Sequence, residues 1–141
     1  MLQPDKGRLS FRLGIALAAV TSLLIMWTTI VRDDSGGAAA IMLIMAAAVG
    51  SFTARFQPAG MARAMVGVAV MQAALGALSA TAPITAAYPD GPLKAMVFNA
   101  VFSLLWLGTA ALFRAAGRGR APRGPDRALS PGQSPHRFRR R

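Results

Sequence analysis

The residues of this sequence that could do chemistry are few, and their spacing does not build a catalytic site. The single histidine, His136, stands among arginines near the C-terminus, and cysteine and glutamate are absent. The five aspartates are scattered along the chain, so neither paired carboxylates nor a cluster with metal-ligand spacing occurs. No base is placed to activate a serine. We therefore predict a protein that is not an enzyme and that holds neither a cofactor nor a metal.

Two amides, Gln72 and Asn99, stand inside long apolar stretches, and Ser103 follows Asn99 by one helical turn on the same face. An amide surrounded by hydrocarbon needs a hydrogen-bonding partner. We predict that Gln72, Asn99 and Ser103 form an interhelical polar seam between the third and fourth helices. A polar substrate site built from the same three residues is the alternative interpretation.

Four apolar stretches must position these side chains. The hydrophobic share of the chain is 54%, and it is concentrated in these stretches. The first, Leu13–Val31, contains no charge and is long enough as a helix to cross a hydrocarbon core of about 30 Å. The predicted spans are 13–31, 38–54, 64–81 and 93–113. We predict an all-α fold, an integral membrane bundle of four transmembrane helices with a disordered, Arg-rich C-terminal tail.

The predicted organisation has three parts: a basic N-terminus over 1–12, the membrane domain over 13–113 and the tail over 114–141. The first stretch follows basic residues, as the apolar part of a signal peptide does. It is longer than such a segment, however, and the charged run Arg32-Asp33-Asp34 follows it at once. We therefore predict a span that is retained. The tail is predicted to be disordered because it has too few apolar residues to offset the entropy of ordering.

Basic residues alternate with the spans, and this alternation predicts the topology. Three precede the first span, two separate the second from the third, and nine follow the fourth, whereas the other two connections hold only Arg32 and Lys94. The first three of these segments together hold fourteen basic and two acidic residues, which gives them a net charge of +12. The other two connections have a net charge of −1. Because cytoplasmic loops are enriched in Lys and Arg, both termini are predicted to be cytoplasmic.

The same arginines are candidate contacts for anionic lipid headgroups, because basic residues near a membrane surface are attracted to it. The predicted contacts are Arg55, Arg63, Arg114, Arg118, Arg120, Arg137, Arg139, Arg140 and Arg141. Nucleic acid is disfavoured, since the basic tail lacks interleaved aromatic residues apart from Phe138. Whether the tail contacts lipid, another protein or nothing stays open.

Small residues recur at four-residue spacing within the spans, and such spacing allows helices to approach closely in lipid. The pairs are Gly14 and Ala18, Ala46 and Gly50, and the run Ala69, Ala73 and Ala77. We favour packing inside one chain over contact with a second copy or another membrane protein. The 82–92 connection is unusually apolar and contains two turn-forming prolines, Pro89 and Pro92. A surface loop is favoured, and a re-entrant segment is the alternative.

The run Ala54-Arg55-Phe56-Gln57-Pro58-Ala59-Gly60-Met61-Ala62-Arg63-Ala64 matches the pattern A-R-F-x-P-x-G-M-A-R-A. This pattern resembles the inner-loop motif of a group of small bacterial four-helix membrane proteins of unknown function. The resemblance implies the same arrangement of spans over about 11–113 and a location in the bacterial inner membrane. It implies no chemistry and no site residues.

Together these observations predict a structural or accessory protein of the inner membrane. A pore former of the holin type is the first alternative, because holins combine a few apolar spans with a basic C-terminal tail. A small-solute transporter is the second alternative, and it is weakened because no charged residue lies in the central part of any span.

Overall fold

Helices account for nearly all of the structure, a computed structural model that describes residues 6–32 and 37–119. The helices are α1 (Lys6–Arg32), α2 (Gly37–Thr53), α3 (Pro58–Thr81), the one-turn α4 (Pro83–Ala86) and α5 (Gly91–Arg118). No strand occurs within these two ranges. The predicted all-α fold is therefore confirmed for the described part of the chain. The region 120–141, which holds most of the predicted tail, lies outside it.

Three helices, α1, α3 and α5, are long and apolar enough to cross a membrane. Their most apolar windows are largely exposed in the isolated chain, with 17% of the window buried in α1 and 28% in each of the other two. Monomeric proteins in water rarely expose apolar surface of this extent. The chain is thus a membrane protein. The fourth apolar helix, α2, has 17 residues and a length of about 26 Å.

The helices extend beyond the spans that hydropathy predicts. α1 begins at Lys6 rather than at 13, α3 begins at Pro58 rather than at 64, and α5 runs from Gly91 to Arg118 rather than over 93–113. Hydropathy reports only the segment that needs lipid, whereas a helix continues until a turn or a proline stops it. The predicted N-terminal segment and tail therefore overlap helices at 6–12 and 114–118. Ala116, within the second overlap, is fully buried.

Each long helix runs antiparallel to its neighbours. α5 packs most extensively against α3 and next against α1, while α2 packs against α3 and more lightly against α1. The start of α1 lies beside the end of α5, where Gly7 approaches Ala116 and Gly119. The turn between α2 and α3 lies at the same end of the molecule. We call this end the basic end. The opposite end, which carries α4 and the start of α5, is the loop end.

A tight turn joins α2 to α3 at the basic end. Arg55 and Phe56 have φ values of 49° and 55°, and the Phe56 N–H donates to the Ser51 carbonyl at 3.2 Å, as in a Schellman motif. Pro58 then opens α3, where its missing N–H costs no hydrogen bond. A Cβ on Gly60 would lie 2.7 Å from the Ala54 Cβ. The small residues and the proline of the A-R-F-x-P-x-G pattern thus have a structural role in this turn.

The basic half of the assembly has a closely packed interior. Trp106 and Phe113 have no exposed surface, and Met65 is 1% exposed. The Phe113 ring packs against Phe11 with 5.7 Å between ring centroids and lies directly over Gly14. This packing closes the centre of the assembly at the basic end.

The small residues at four-residue spacing divide into two groups. Gly14, Gly50 and Ala69 lie at contacts within the chain: Gly14 faces Phe113, a Cβ on Gly50 would lie 2.7 Å from the Ala64 Cβ, and Ala69 is buried. Ala18 and Ala46 belong to the same group, since both are partly buried and pack against the core. Ala73 and Ala77 are exposed on α3. Close approach inside one chain therefore accounts for the first group only.

Candidate functional site

The structure joins Gln72 of α3 to Asn99 of α5 by a hydrogen bond. The Gln72 Nε2 donates to the Asn99 Oδ1 at 2.7 Å, and the Asn99 Nδ2 donates to the carbonyl of Ala95 at 2.9 Å. The two helices approach closely here because Gly76 lies against Asn99, where a Cβ would be only 2.5 Å from the Asn99 Cβ. These two members of the predicted seam therefore meet across the α3–α5 contact.

The third predicted member, Ser103, is buried but does not join this pair. Within the described residues, three buried side-chain atoms have no hydrogen-bonding partner: the Gln72 Oε1, the Ser103 Oγ and the Trp106 Nε1. Asn99, Ser103 and Trp106 follow one another at spacings of four and three, which places them on one face of α5. Sequence reasoning missed Trp106, although this spacing would have placed it beside Ser103.

A cavity of about 990 Å³ opens between the helices at the loop end, and all five helices contribute to its lining. Gln72 and Asn99 line its deep part, whereas Ser103 does not line it. Thr28 and Thr29 of α1 contribute hydroxyl groups to the wall. Gln72 and Asn99, which we call the seam pair, thus lie at the inner boundary of the cavity.

The cavity wall carries hydroxyl groups that can accept hydrogen bonds, from Thr28 and Thr29 of α1 and from Ser79 and Thr85. The Thr29 hydroxyl donates to the Ile25 carbonyl at 2.8 Å, and the Thr28 hydroxyl donates to the Leu24 carbonyl at 2.8 Å. Because each hydroxyl has one proton and two lone pairs, both oxygens remain free to accept. The amide proton of Gln72 that faces Asn99 is likewise engaged.

The 82–92 connection, for which a re-entrant segment was the alternative, lies at the mouth of this cavity. It forms the one-turn α4, and none of the four residues of α4 is buried. Asp90, in the left-handed conformation, leads into α5, and Gly91 packs so closely on the Thr85 carbonyl that no side chain fits there. Of the side chains that the structure describes, exposed Asp90 and Lys94 place one charge of each sign at the mouth. The segment therefore covers the end of the helices without threading between them.

The predicted lipid contacts that the structure describes all lie at the basic end, away from the cavity. Arg55, Arg63, Arg114 and Arg118 are exposed there, together with Lys6, Arg8 and Arg12. Asp90, at the loop end, is the one acid among residues 6–32 and 37–119, so no described carboxylate is available to pair with them. The predicted contacts Arg120, Arg137, Arg139, Arg140 and Arg141 lie outside the described residues.

No protein-family model, no curated protein and no solved structure matches this chain. In the described ranges, no group of three or more His, Cys, Asp or Glu side chains is arranged to hold a metal ion.

The seam pair can be tested by a double-mutant cycle with Gln72→Leu and Asn99→Leu. We expect a coupling energy of about 0.6 kcal/mol, and at most about 1.7 kcal/mol, which is the range measured for interhelical hydrogen bonds in a membrane protein. The free energy of unfolding would be measured by titrating dodecyl sulfate into mixed micelles. Ser103→Ala is the control: because its buried hydroxyl has no partner, the substitution gives up no hydrogen bond and should not lower stability. A coupling of zero would contradict the seam.

Proposed function

We propose that this chain is a four-span protein of a bacterial inner membrane, with both termini in the cytoplasm and a structural or accessory role without enzymatic activity. The observation that carries the proposal is the separation of charge along the assembly. Among the described side chains, seven exposed basic residues lie at the basic end, against Lys94 and Asp90 at the loop end. A cytoplasmic basic end satisfies the preference of Lys and Arg for that side.

The antiparallel packing supports a membrane crossing by α2. α1 ends and α3 ends at the loop end, so α2 must return the chain to the basic end between them. α2 carries no charged residue, and Phe52 and Phe56 are exposed where it meets the basic end. Trp27 and Tyr88 are exposed near the loop end. Aromatic side chains near both ends are typical of segments that reach both membrane interfaces.

The basic end suits contact with anionic headgroups. Its described cations are exposed and have no described acid beside them, so their charge is available to the membrane surface. Each Lys or Arg near such a surface contributes about 1 kcal/mol of attraction. We infer that anionic lipid is the constant partner of this end, and the resemblance of the turn motif to small bacterial membrane proteins agrees with that setting.

The holin-type alternative receives less support from the packing. A pore through a single chain would have to pass Trp106, Phe113 and Met65, which fill the centre of the basic half. Conduction would therefore require either separation of the helices or a channel formed between several copies. The cavity at the loop end supports the transporter alternative. These three residues, however, leave no corresponding opening in the basic half.

Reporter fusions test the proposed topology. Alkaline phosphatase, active outside the cytoplasm, and green fluorescent protein, fluorescent inside it, would be fused after Asp34, Gly60, Pro89 and the C-terminus. We expect the four positions to report outside, inside, outside and inside in turn. If α2 does not cross, the Asp34 and Gly60 fusions will report the same side, and the four-span proposal fails.

Lipid contact can be tested with Arg55→Gln and Arg63→Gln in nanodiscs of mixed phosphatidylcholine and phosphatidylglycerol. The enrichment of phosphatidylglycerol around the protein should fall about fivefold per arginine, which corresponds to about 1 kcal/mol each. Arg55→Lys should retain the enrichment because it keeps the charge. Lys94→Gln, at the loop end, is the matched control. An equal effect of Lys94→Gln would show that the headgroups do not distinguish the two ends.

A further inference from the structure

We propose that the cavity at the loop end is a binding site for a small organic solute with an apolar body and a hydrogen-bond-donating head group, either a hydroxyl or an ammonium group. This role goes beyond the accessory function above, and it rests on the proposed topology only for the side from which the solute arrives. With the basic end in the cytoplasm, the cavity opens to the outside.

The size and the walls of the cavity define the body of the solute. Its volume of about 990 Å³ lies at the upper end of the range for small-molecule sites, about 300–1,000 Å³. Ile25, Leu43, Leu75 and Phe98 supply apolar wall from four different elements. The lining as a whole presents about as much polar as apolar surface, so it matches an amphipathic solute and not a purely apolar one.

Polar atoms at two depths define the head group: the Thr28 and Thr29 hydroxyls lie about one turn from the end of α1, whereas Gln72 lies about 13 Å from the end of α3. The Thr28 and Thr29 oxygens can accept hydrogen bonds because their protons are donated to backbone carbonyls. Gln72 is only 4% exposed, and its Oε1 has no partner within the described residues. A buried amide oxygen without a hydrogen bond is costly, so a donor that reaches it is favoured. The oxygen is covered in this conformation, and the head group therefore reaches it as the Gln72 side chain shifts.

The cavity ends within the assembly, which favours binding over conduction. Trp106 and Phe113, fully buried in the basic half, do not line the cavity. The site also differs from the alternative predicted from sequence, because Ser103 is replaced by Thr28 and Thr29 of α1. Three helices therefore hold the polar groups in place of two.

The absence of cysteine from the chain makes a direct test simple, since an engineered cysteine is the only thiol. Ala95, partly buried in the cavity wall, would be changed to Cys in the full chain in nanodiscs. We expect hexylammonium or hexanol to slow its reaction with a small cationic methanethiosulfonate at least fivefold. Hexane and hexanoate should not, because neither has a donor at neutral pH. Ala100→Cys, exposed and outside the lining, should be unaffected.

Two further changes in the Ala95→Cys background separate a site from partition into lipid. Ala39→Phe fills the cavity from α2 and should abolish protection, whereas Ala38→Phe, on the exposed neighbouring position, should retain it. Gln72→Leu should weaken protection about fivefold, as expected for one hydrogen bond. Circular dichroism and the dodecyl sulfate midpoint would show that each variant is folded.

The outcomes are distinct. Protection by hexanol alone or by hexylammonium alone supports the site and identifies its head group. Equal protection by hexane would mean that the cavity accepts any acyl chain. Equal protection by hexanoate would mean that hydrogen-bond acceptors do not select the ligand. Either result, or an absence of protection, would overturn the proposal. If each reporter fusion indicates the side opposite to the one expected while protection persists, the proposed topology is wrong and the proposed site is retained.

Discussion

Replacing Trp106 with alanine should lower the free energy of unfolding by about 3–5 kcal/mol, the cost typical of deleting a large buried aromatic side chain. Trp106 has no exposed surface and belongs to the core that joins α5 to the other helices. Its loss leaves a void that lipid cannot reach, so the packing lost is not replaced. Unfolding by dodecyl sulfate, followed by circular dichroism, would measure the change.

The second tryptophan is the matched control. Trp27 is 63% exposed on α1, so Trp27→Ala should cost less than about 1 kcal/mol. Trp106→Phe separates packing from hydrogen bonding. The Trp106 Nε1 has no partner in the described chain, so removing it gives up no hydrogen bond, and the smaller cavity should cost less than that of Trp106→Ala. Equal effects of Trp106→Ala and Trp27→Ala would mean that the centre of the assembly is not packed as described.

Gly76→Ala should destabilise the protein by about 2 kcal/mol, the midpoint of the usual cost of overpacking. The added Cβ would lie 2.5 Å from the Asn99 Cβ, which is fixed to its backbone and cannot turn away. α3 and α5 must therefore separate, and the Gln72–Asn99 hydrogen bond lengthens. The dodecyl sulfate midpoint reports the loss, and the coupling energy between Gln72 and Asn99 should fall with it.

Gly67 provides the control on the same helix. A Cβ at Gly67 meets nothing within 4 Å, so Gly67→Ala should be neutral or should stabilise α3 by up to about 1 kcal/mol through helix propensity. Opposite signs for the two substitutions would locate the effect at the contact with Asn99. A loss of stability at Gly67 equal to that at Gly76 would instead point to a property of α3 as a whole.

The helical fold and the Gln72–Asn99 pair were within reach of sequence reasoning for a specific physical reason. An amide in hydrocarbon must find a partner, and only two amides stood inside the predicted spans. Uncharged runs marked α1, α3 and α5, since lipid selects for them along their whole length. Helix ends such as Lys6 and Arg118 could not be located in this way, because charged residues at the membrane surface are compatible with continued helix.

The cavity could not be predicted, because it depends on which faces the helices turn toward one another. Thr28 and Thr29 look like ordinary polar residues of a span until the end of α1 is placed at the wall of the same cavity as Gln72. The lack of a partner for Ser103 could not be predicted for the same reason. Its spacing from Asn99 fixes the face of α5 on which it lies, but not the position of the side chains on α3. The Gln72 Nε2 bonds to Asn99, and the Gln72 Oε1 has no partner in the described chain.

The contrast between the two halves of the assembly has a mechanical consequence. The basic half is filled by Phe113, Trp106 and Met65, whereas the loop half contains about 990 Å³ of open space. Packed protein interiors have low compressibility, whereas side chains that border an open cleft lack packing contacts on that side. Lateral pressure from the surrounding leaflet would therefore deform the molecule at one depth only, with the basic half acting as a rigid base.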